Sequence, residues 1–188
     1  MLPFTQKGLT LLELLVTIII FSIVTSIAVS SFQWLSERSA ASTTRSHIDR
    51  AFSVARFTAV TERTVVTICP LDAANKCTND WSLPTAVFRD PSNDLRLTHT
   101  SQLVRFITLA PRGQLSPSNS FHGARKYFQY QANGGIRGTL GHFTWCPQSG
   151  NRTSAIHVRV NFGGRLVWSR DTNNNHIVED ASGADIGC

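Results

Sequence analysis

The sequence predicts an α+β protein in which one long N-terminal helix packs on a C-terminal antiparallel β domain. Three observations lead to this prediction. An apolar run is followed by an amphipathic helical pattern, the rest of the chain carries short segments rich in β-branched and aromatic residues, and turn residues separate those segments. A chain of 188 residues has the length of one domain with an appendage.

The apolar run extends from Leu9 to Phe32 and carries a single charged side chain, that of Glu13. A helix of this length spans about 36 Å at 1.5 Å per residue, which is enough to cross the hydrocarbon core of a bilayer. Lys7 precedes the run, and positive flanking charge favours the cytoplasmic side. We therefore expect residues 9–32 to form a single transmembrane helix.

Glu13 is the unusual residue of this run, because a carboxylate in hydrocarbon costs about 2.5–3.5 kcal/mol on insertion scales unless it is paired. Cleavage after Gly8 would create a new amino terminus on Leu9, about one helical turn before Glu13. The amine of the same chain, or of a neighbouring chain, could then pair with the carboxylate. The simpler alternative is a plain membrane anchor in which the Glu13 side chain reaches the lipid headgroups.

Residues 33–63 predict an amphipathic continuation of the helix. Apolar residues recur on one face at spacings of three, four and seven, and polar residues stand between them. The apolar positions are Phe32, Leu35, Ile48, Phe52, Ala55 and Ala59. We expect this stripe to pack on a sheet as part of the hydrophobic core.

Residues 64–188 predict a β-rich globular domain. The predicted strands are residues 64–69, 85–90, 102–109, 127–132, 141–146, 155–161 and 164–170. The predicted loops are residues 116–120, 133–135 and 147–151. Gly163 and Gly164 mark a hairpin turn between the last two strands, because glycine accepts a positive φ.

The four cysteines indicate two disulfides, because an even number behind a membrane segment is typical of an exported domain. Cys69 and Cys77 enclose a short loop and are expected to pair locally. Cys146 and Cys188 would then tie the C-terminus to the body. Four buried free thiols are the alternative. No CxxC pair and no histidine at ligand spacing is present in the sequence, which argues against zinc.

The charge pattern and the absence of catalytic motifs argue against an enzyme. The net charge is +6, and its excess is spread as single arginines, as on a solvated surface. The sequence carries no nucleophile elbow, zinc-protease motif or phosphate-binding loop. We expect no catalytic residue and no cofactor. Residues 151–153 match a glycosylation acceptor by chance.

A calcium loop is the weak metal candidate. Asp171, Asn173 and Asn175 place oxygen ligands at alternate positions. His176 stands where a calcium loop has its turn glycine, and Ser182 stands where it has its last carboxylate. The pattern therefore favours an Asx-rich turn, and we expect no metal.

The N-terminal stretch "KGLTLLELLVTII" resembles the class III leader of type IV pilins and pseudopilins. The resemblance implies that residues 1–8 are a leader that prepilin peptidase removes after Gly8, and that Leu9 becomes the N-methylated first residue. It also implies that Glu13 aids recruitment into a filament. Two positions depart from the pattern: Leu9 stands where phenylalanine is usual, and Ser30 stands where a helix-breaking proline is common.

The body is similar to the FimT/GspH group of minor pilins and pseudopilins. The similarity rests on "FSVARFTAVTERTVVTICP", on the Cys–Cys loop followed by "DWS", and on the ending "VRVNFGGRLVWSRD". It implies a pilin-like fold and a subunit of a type IV pilus or of a type II secretion pseudopilus. Its partners would be other pilins, bound through the N-terminal helix. It would cross the bacterial inner membrane once, with a periplasmic domain, and reach a filament tip or surface.

DNA uptake is the alternative function. The resemblance assigns DNA binding in FimT-like pilins to a G-R-x-R motif in the terminal hairpin, and here Val167 replaces the second arginine after Gly164-Arg165-Leu166. Arg159 on the facing strand and Arg170 farther along are the remaining candidate DNA contacts. Two or three arginines would bind weakly and with strong salt dependence. An ordinary solvated sheet edge is the competing interpretation.

Overall fold

The computed structural model describes residues 10–110, 112–120, 123–136, 138 and 140–188, and it leaves the side chains of residues 27–31 undescribed. The chain divides into two units, Met1–Ser36 and Glu37–Cys188. One helix, α1 (Leu11–Glu62), begins in the first unit and ends in the second. Its end agrees with the predicted boundary near residue 63. The expected cleavage site between Gly8 and Leu9 lies outside the described residues.

The first unit consists of the N-terminal part of α1. The Thr10 hydroxyl accepts a hydrogen bond from the Glu13 amide at 3.3 Å, which satisfies one of the unpaired amides at the start of the helix. Among the described residues, no helix combines the length and the apolar character needed to cross a membrane.

The second unit contains two four-stranded antiparallel sheets and a small hairpin. The strands are β1 (Val66–Pro70), β2 (Thr85–Arg89), β3 (Leu103–Ile107), β4 (Gly113–Pro117), β5 (Asn119–Ser120), β6 (Gly123–Ala124), β7 (Phe128–Tyr130), β8 (Gly141–Pro147), β9 (Ile156–Val160) and β10 (Leu166–Trp168). The first sheet has the order β3-β2-β1-β7, and the second has the order β10-β9-β8-β4. Strands β5 and β6 pair with each other. The predicted α+β architecture is confirmed.

Strand β4 corrects one prediction. Residues 116–120 were expected to form a loop, but Ser116 and Pro117 end β4, which pairs with β8 in the register Leu115↔Trp145. Glycine, serine and proline have low β propensity, and Leu115 is the only large apolar residue of the strand. Pairing with β8 decides the conformation here, and a local pattern cannot show that pairing.

The core lies between the second half of α1 and the two sheets. Ile48, Phe52, Ala55 and Ala59 are buried, as the amphipathic pattern predicted. The Phe52 ring makes edge-to-face contacts with the rings of Phe128, Tyr130 and Phe143, with centroids 5.3, 6.2 and 6.3 Å away. Such aromatic contacts give the helix a fixed position on the sheets.

Two members of the predicted stripe are not buried. Phe32 and Leu35 belong to the first unit and are 72% and 59% exposed. The buried stripe begins instead at Ala40. The prediction was wrong for these two residues because a helical period does not show which turns of a helix are buried.

Both expected disulfides are present, and they exclude the alternative of free thiols. Cys69 pairs with Cys77 across β1 and the following loop, and Cys146 of β8 pairs with Cys188. The second bond joins residues 42 positions apart and fixes the C-terminal segment, residues 171–188, to the second sheet. The Arg152 Nε also donates to the carbonyl of Ile186 at 2.9 Å, and Ile186 is buried.

A polar contact ties α1 to the connection between β8 and β9. Asn151 Nδ2 and Ser154 Oγ donate to the Glu37 carboxylate at 3.0 and 3.1 Å. The asparagine of the glycosylation-like triplet therefore has its amide nitrogen engaged inside the fold. This contact supports the interpretation of residues 151–153 as a chance match.

Candidate functional site

The N-terminal part of α1 presents apolar side chains on all sides. Eleven large apolar residues between Leu11 and Val24 are exposed, among them Phe21 at 70%. We name residues 11–24 the apolar segment. A continuous exposed surface of this kind marks contact with a membrane or with other protein chains. The apolar segment is therefore suited to association with a membrane or with other protein chains.

Glu13 lies in the first turn of α1, at the start of the apolar segment. An acidic side chain is favoured there because the amino end of a helix carries partial positive charge. The expected partner of Glu13 is the amine of Leu9, which lies outside the described residues. The pairing of these two groups therefore stays a prediction.

The open edge of the second sheet carries a basic groove beside α1. The groove has a volume of about 460 Å³, and we name it the arginine groove. Its lining residues are Arg45, Asn161, Arg165, Leu166, Val167, Trp168, Ser169 and Arg170. Arg45 comes from the helix, Arg165 from the β9–β10 turn, and Arg170 from the residues that follow β10. Three guanidinium groups around one groove favour an anionic ligand.

Trp168 forms one wall of the arginine groove. The guanidinium carbon of Arg45 lies 4.6 Å from the centroid of the Trp168 ring, a cation–π distance. The indole N–H donates to Asp49 Oδ1 at 3.1 Å. One face of the ring is thus covered by an arginine, and the polar edge is bound to the helix. Trp168 therefore joins the helix to the sheet.

The three arginines named from the sequence do not form one cluster. Arg165 and Arg170 line the arginine groove, but Arg159 does not. Arg159 lies in the middle of β9, opposite Val167 on one side and His142 on the other. Its Nε is buried and has no hydrogen-bond partner among the described residues. Arg45 replaces Arg159 as the third cation of the groove.

Sequence reasoning missed Arg45 for a physical reason. The residue is one of several polar positions on the exposed side of a long helix, and the sequence does not show which strand edge lies beside it. Arg56 was missed in the same way. It lines a neighbouring groove of about 280 Å³ together with Arg165 and Tyr130.

A histidine pair lies on the face of the second sheet that points away from α1. The rings of His142 and His157 are 4.8 Å apart, and His157 Nδ1 lies 2.7 Å from Ser169 Oγ. Burial is the main cause that lowers the pKa of His157 to about 4, and the nearby His142 and Arg159 contribute to this lowering. Burial also lowers the pKa of His142. Both rings are therefore neutral near pH 7 and act in packing.

The Asx-rich loop that follows β10 is closed by its own hydrogen bonds. The Asp171 carboxylate accepts from the amides of Asn174 and His176 at 2.7 and 2.8 Å. The side-chain oxygens of Asn173 and Asn175 accept from amides two residues further along. No group of three or more histidine, cysteine, aspartate or glutamate side chains in the described part of the chain could hold a metal ion. The loop has the Asx turns that the pattern favoured.

A long helix on two antiparallel sheets, preceded by an exposed apolar segment, defines the class of pilin-like subunits. Residues 46–164 match the sequence model of the family described as Type II transport protein GspH. Because this match covers more than half of the chain, the chain belongs to the GspH family. Residues 4–29 match the prokaryotic N-terminal methylation motif. The protein is thus a minor pilin or pseudopilin subunit, and its family is a structural one.

One solved structure supports the fold, and two others align with lower scores. The type IV minor pilin FimU of Pseudomonas aeruginosa, in its P21 crystal form, aligns with a TM-score of 0.52 and 16% identity over 72% of this chain and 92% of FimU. The P65 form of FimU aligns with a TM-score of 0.48 and 18% identity over 70% and 91% of the two chains. The minor pseudopilin EpsH from the Type 2 Secretion System of Vibrio cholerae gives 0.45 and 12% over 69% and 94%. Curated protein sequences gave no match.

Proposed function

We propose that the chain is cleaved after Gly8, methylated on Leu9 and assembled through its N-terminal helix into a type IV pilus or a type II secretion pseudopilus. The observation that carries this proposal is the methylation motif over residues 4–29, which contains both positions. The exposed apolar segment begins two residues after Leu9, and it supplies a physical reason for processing and assembly at this end of the chain. It is a surface that needs lipid before assembly and neighbouring helices afterwards.

The mechanism that we propose is a transfer between two apolar environments. The precursor crosses the inner membrane once through residues 9–32, with its β domain in the periplasm. Prepilin peptidase acts on the cytoplasmic side, and the freed helix is then extracted into a bundle of related helices. The body comes to lie at the tip or on the surface of the filament. Glu13 pairs with a Leu9 amine in surroundings almost without water, where opposite charges attract strongly.

The N-terminus of the native protein tests this proposal. We expect intact-mass and peptide mass spectrometry of protein from a strain with active leader peptidase to show the loss of residues 1–8 and one added methyl group on Leu9. A strain without the peptidase is the control and should yield the full-length chain. An unprocessed N-terminus in the first strain would remove the proposed assembly route.

We also propose DNA binding in uptake as the second candidate function, because the arginine groove brings three cations to one edge of the molecule. Arg165 and Arg170 are exposed and line the same groove, where both can contact phosphates. Asp49 beside Trp168 offsets part of their charge. The expected binding is therefore weak and falls steeply with salt.

Replacing Arg165 and Arg170 together with alanine tests the DNA candidate. For the full-length protein in detergent, we expect affinity for a labelled duplex at low salt to fall about tenfold, and the slope of log K against log salt to lose about 1.8, since each phosphate contact contributes about 0.9. The double variant of Arg96 and Arg105, both exposed, changes the net charge equally and should retain most binding. Equal losses in both variants, or no binding by the unmodified protein at low salt, would exclude this function.

A further inference from the structure

The two large sheets end in four outer strands, and these differ in how they are protected. Strand β7 is partly covered, because Tyr130 forms a bridge with Ile136. Strand β3 carries Arg105, and β10 is flanked by Arg165 and Arg170. Strand β4 contains no charged residue, and neither do β7 and β10, although charge is the usual protection of an open sheet edge; the exposed Arg112 directly precedes β4. Of these three outer strands, β4 is the longest, with five residues against three in β7 and three in β10, and its edge is therefore the best suited to accept a further strand.

A groove follows β4 along its whole length. It has a volume of about 700 Å³, and we name it the β4 groove. Its lining residues are Asn79, Asp80, Trp81, Ser82, all five residues of β4, Cys146, Pro147, Gln148, Gly150 and Cys188. The β8 residues 143–145, which pair with the middle and end of β4, do not line it. The groove therefore lies on the side of β4 that is not paired with β8, and residues 79–82 form its opposite wall.

The backbone of β4 directs hydrogen-bonding groups into this groove. The amide of Ser118, just after β4, donates to the carbonyl of His142 at 2.8 Å and so points toward β8. Backbone groups of an antiparallel strand alternate in direction. The N–H and C=O groups of Leu115 and Gly113 therefore point away from β8, toward the groove. A segment of five extended residues is about 17 Å long and would match β4 along this side.

The charge of the β4 groove restricts what can fill it. Among the described residues that line the groove, Asp80 has the only charged side chain, in a protein whose net charge is +6. The hydroxyl and amide of Ser82 donate to the Asp80 carboxylate at 2.6 and 3.0 Å and lower its pKa, so that the carboxylate stays ionised. An acidic strand would be repelled. Pairing of β4 with β4 of a second copy would bring two Asp80 carboxylates into one groove.

We propose that the β4 groove binds an extended strand without acidic side chains from a different pilin-family subunit, which adds to the second sheet beside β4. Backbone hydrogen bonds to Gly113 and Leu115 give the attachment, and Asp80 selects a neutral or basic strand. The proposal rests on the proposed function, because the family assembles with other pilins. Strand addition would give neighbouring subunits a second contact, between their β domains, besides the contact between their N-terminal helices.

Photo-crosslinking in assembling cells tests this inference. The full-length chain carries benzoylphenylalanine at Gln114, an exposed residue of β4, or at Arg105, an exposed residue of β3, as the matched control. We expect the Gln114 probe to give about tenfold more adduct than the Arg105 probe, with the crosslinked peptide in a strand of another pilin-family subunit. Gly113 is avoided as a position because a Cβ there would collide with the Trp145 ring.

A second measurement separates strand addition from simple proximity. Ser116→Lys places a charge on the open edge and should lower the Gln114 adduct about fivefold, whereas Ser101→Lys, also at an exposed serine, should leave it unchanged. The inference is overturned by adducts only with a second copy, by adducts only with a protein outside the pilin family, by equal adducts from both probes, or by no effect of Ser116→Lys. Filament incorporation is measured in the same cells. If the chain is incorporated but these results are negative, the inference alone fails.

Discussion

Glu13→Ala is expected to leave the chain in the membrane and to reduce its incorporation into filaments about hundredfold. In the proposed bundle, the carboxylate of Glu13 faces a Leu9 amine in a medium of low dielectric. Two unit charges 4 Å apart attract by about 4 kcal/mol at an effective dielectric constant of 20, and loss of about 3 kcal/mol corresponds to roughly a hundredfold change. The measurement is immunoblotting of membranes and of purified filaments.

Two variants serve as controls for Glu13. Glu13→Asp retains the charge and should retain most incorporation. Thr17→Ala changes a polar residue one turn further along, whose hydroxyl donates to the carbonyl of Leu14 within the same helix at 2.8 Å. This hydrogen bond lies within one chain, and Thr17→Ala leaves the charge of Glu13 in place. Normal incorporation of Glu13→Ala would show that no buried charge pair drives recruitment.

Phe52→Ala is expected to destabilise the β domain by about 3–5 kcal/mol, because the cavity lies where α1 meets both sheets. The Phe52 side chain is 2% exposed and contacts three aromatic rings. For a body of this size the thermal midpoint should fall by about 6–20 °C. Tryptophan fluorescence of the full-length protein in detergent reports the transition, since Trp81 and Trp145 are buried.

Phe57→Ala is the matched control for Phe52. It removes the same side chain from the same helix, but Phe57 is 69% exposed. Its effect should stay within about 0.5 kcal/mol. If the two variants lowered the midpoint equally, the aromatic cluster around Phe52 would not be the link between helix and sheets.

The sequence was sufficient to predict the helix and the strands in which apolar side chains recur with a clear period. The helical stripe from Ile48 to Ala59 and the seven segments predicted as strands follow from the burial of one face or both. It was not sufficient for β4, whose residues have little preference for a strand and gain their conformation from β8. Nor could the periodicity show that Phe32 and Leu35 would be exposed, because a helical period does not reveal which turns of the helix are buried.

The candidate sites divide in the same way. Glu13 could be identified from the sequence because a charged carboxylate inside an apolar run is visible within a few neighbouring residues. The arginine groove could not, since Arg45 and Arg165 are 120 positions apart and meet only through the packing of α1 on β10. Arg159 was a reasonable candidate from strand alternation alone, but the middle of a sheet gives it a neighbour on either side.

The two disulfides set an order of events for this chain. In the unfolded ensemble, closing loops of 8 and 42 residues removes entropy worth about 2.5 and 4 kcal/mol. Thiols stay reduced in the cytosol, so the proposed topology requires that both bonds form after translocation. In the proposed topology the leader is removed on one side of the membrane and the body is oxidised on the other. The supply of subunits ready for a filament would then depend on a periplasmic oxidant as much as on the peptidase.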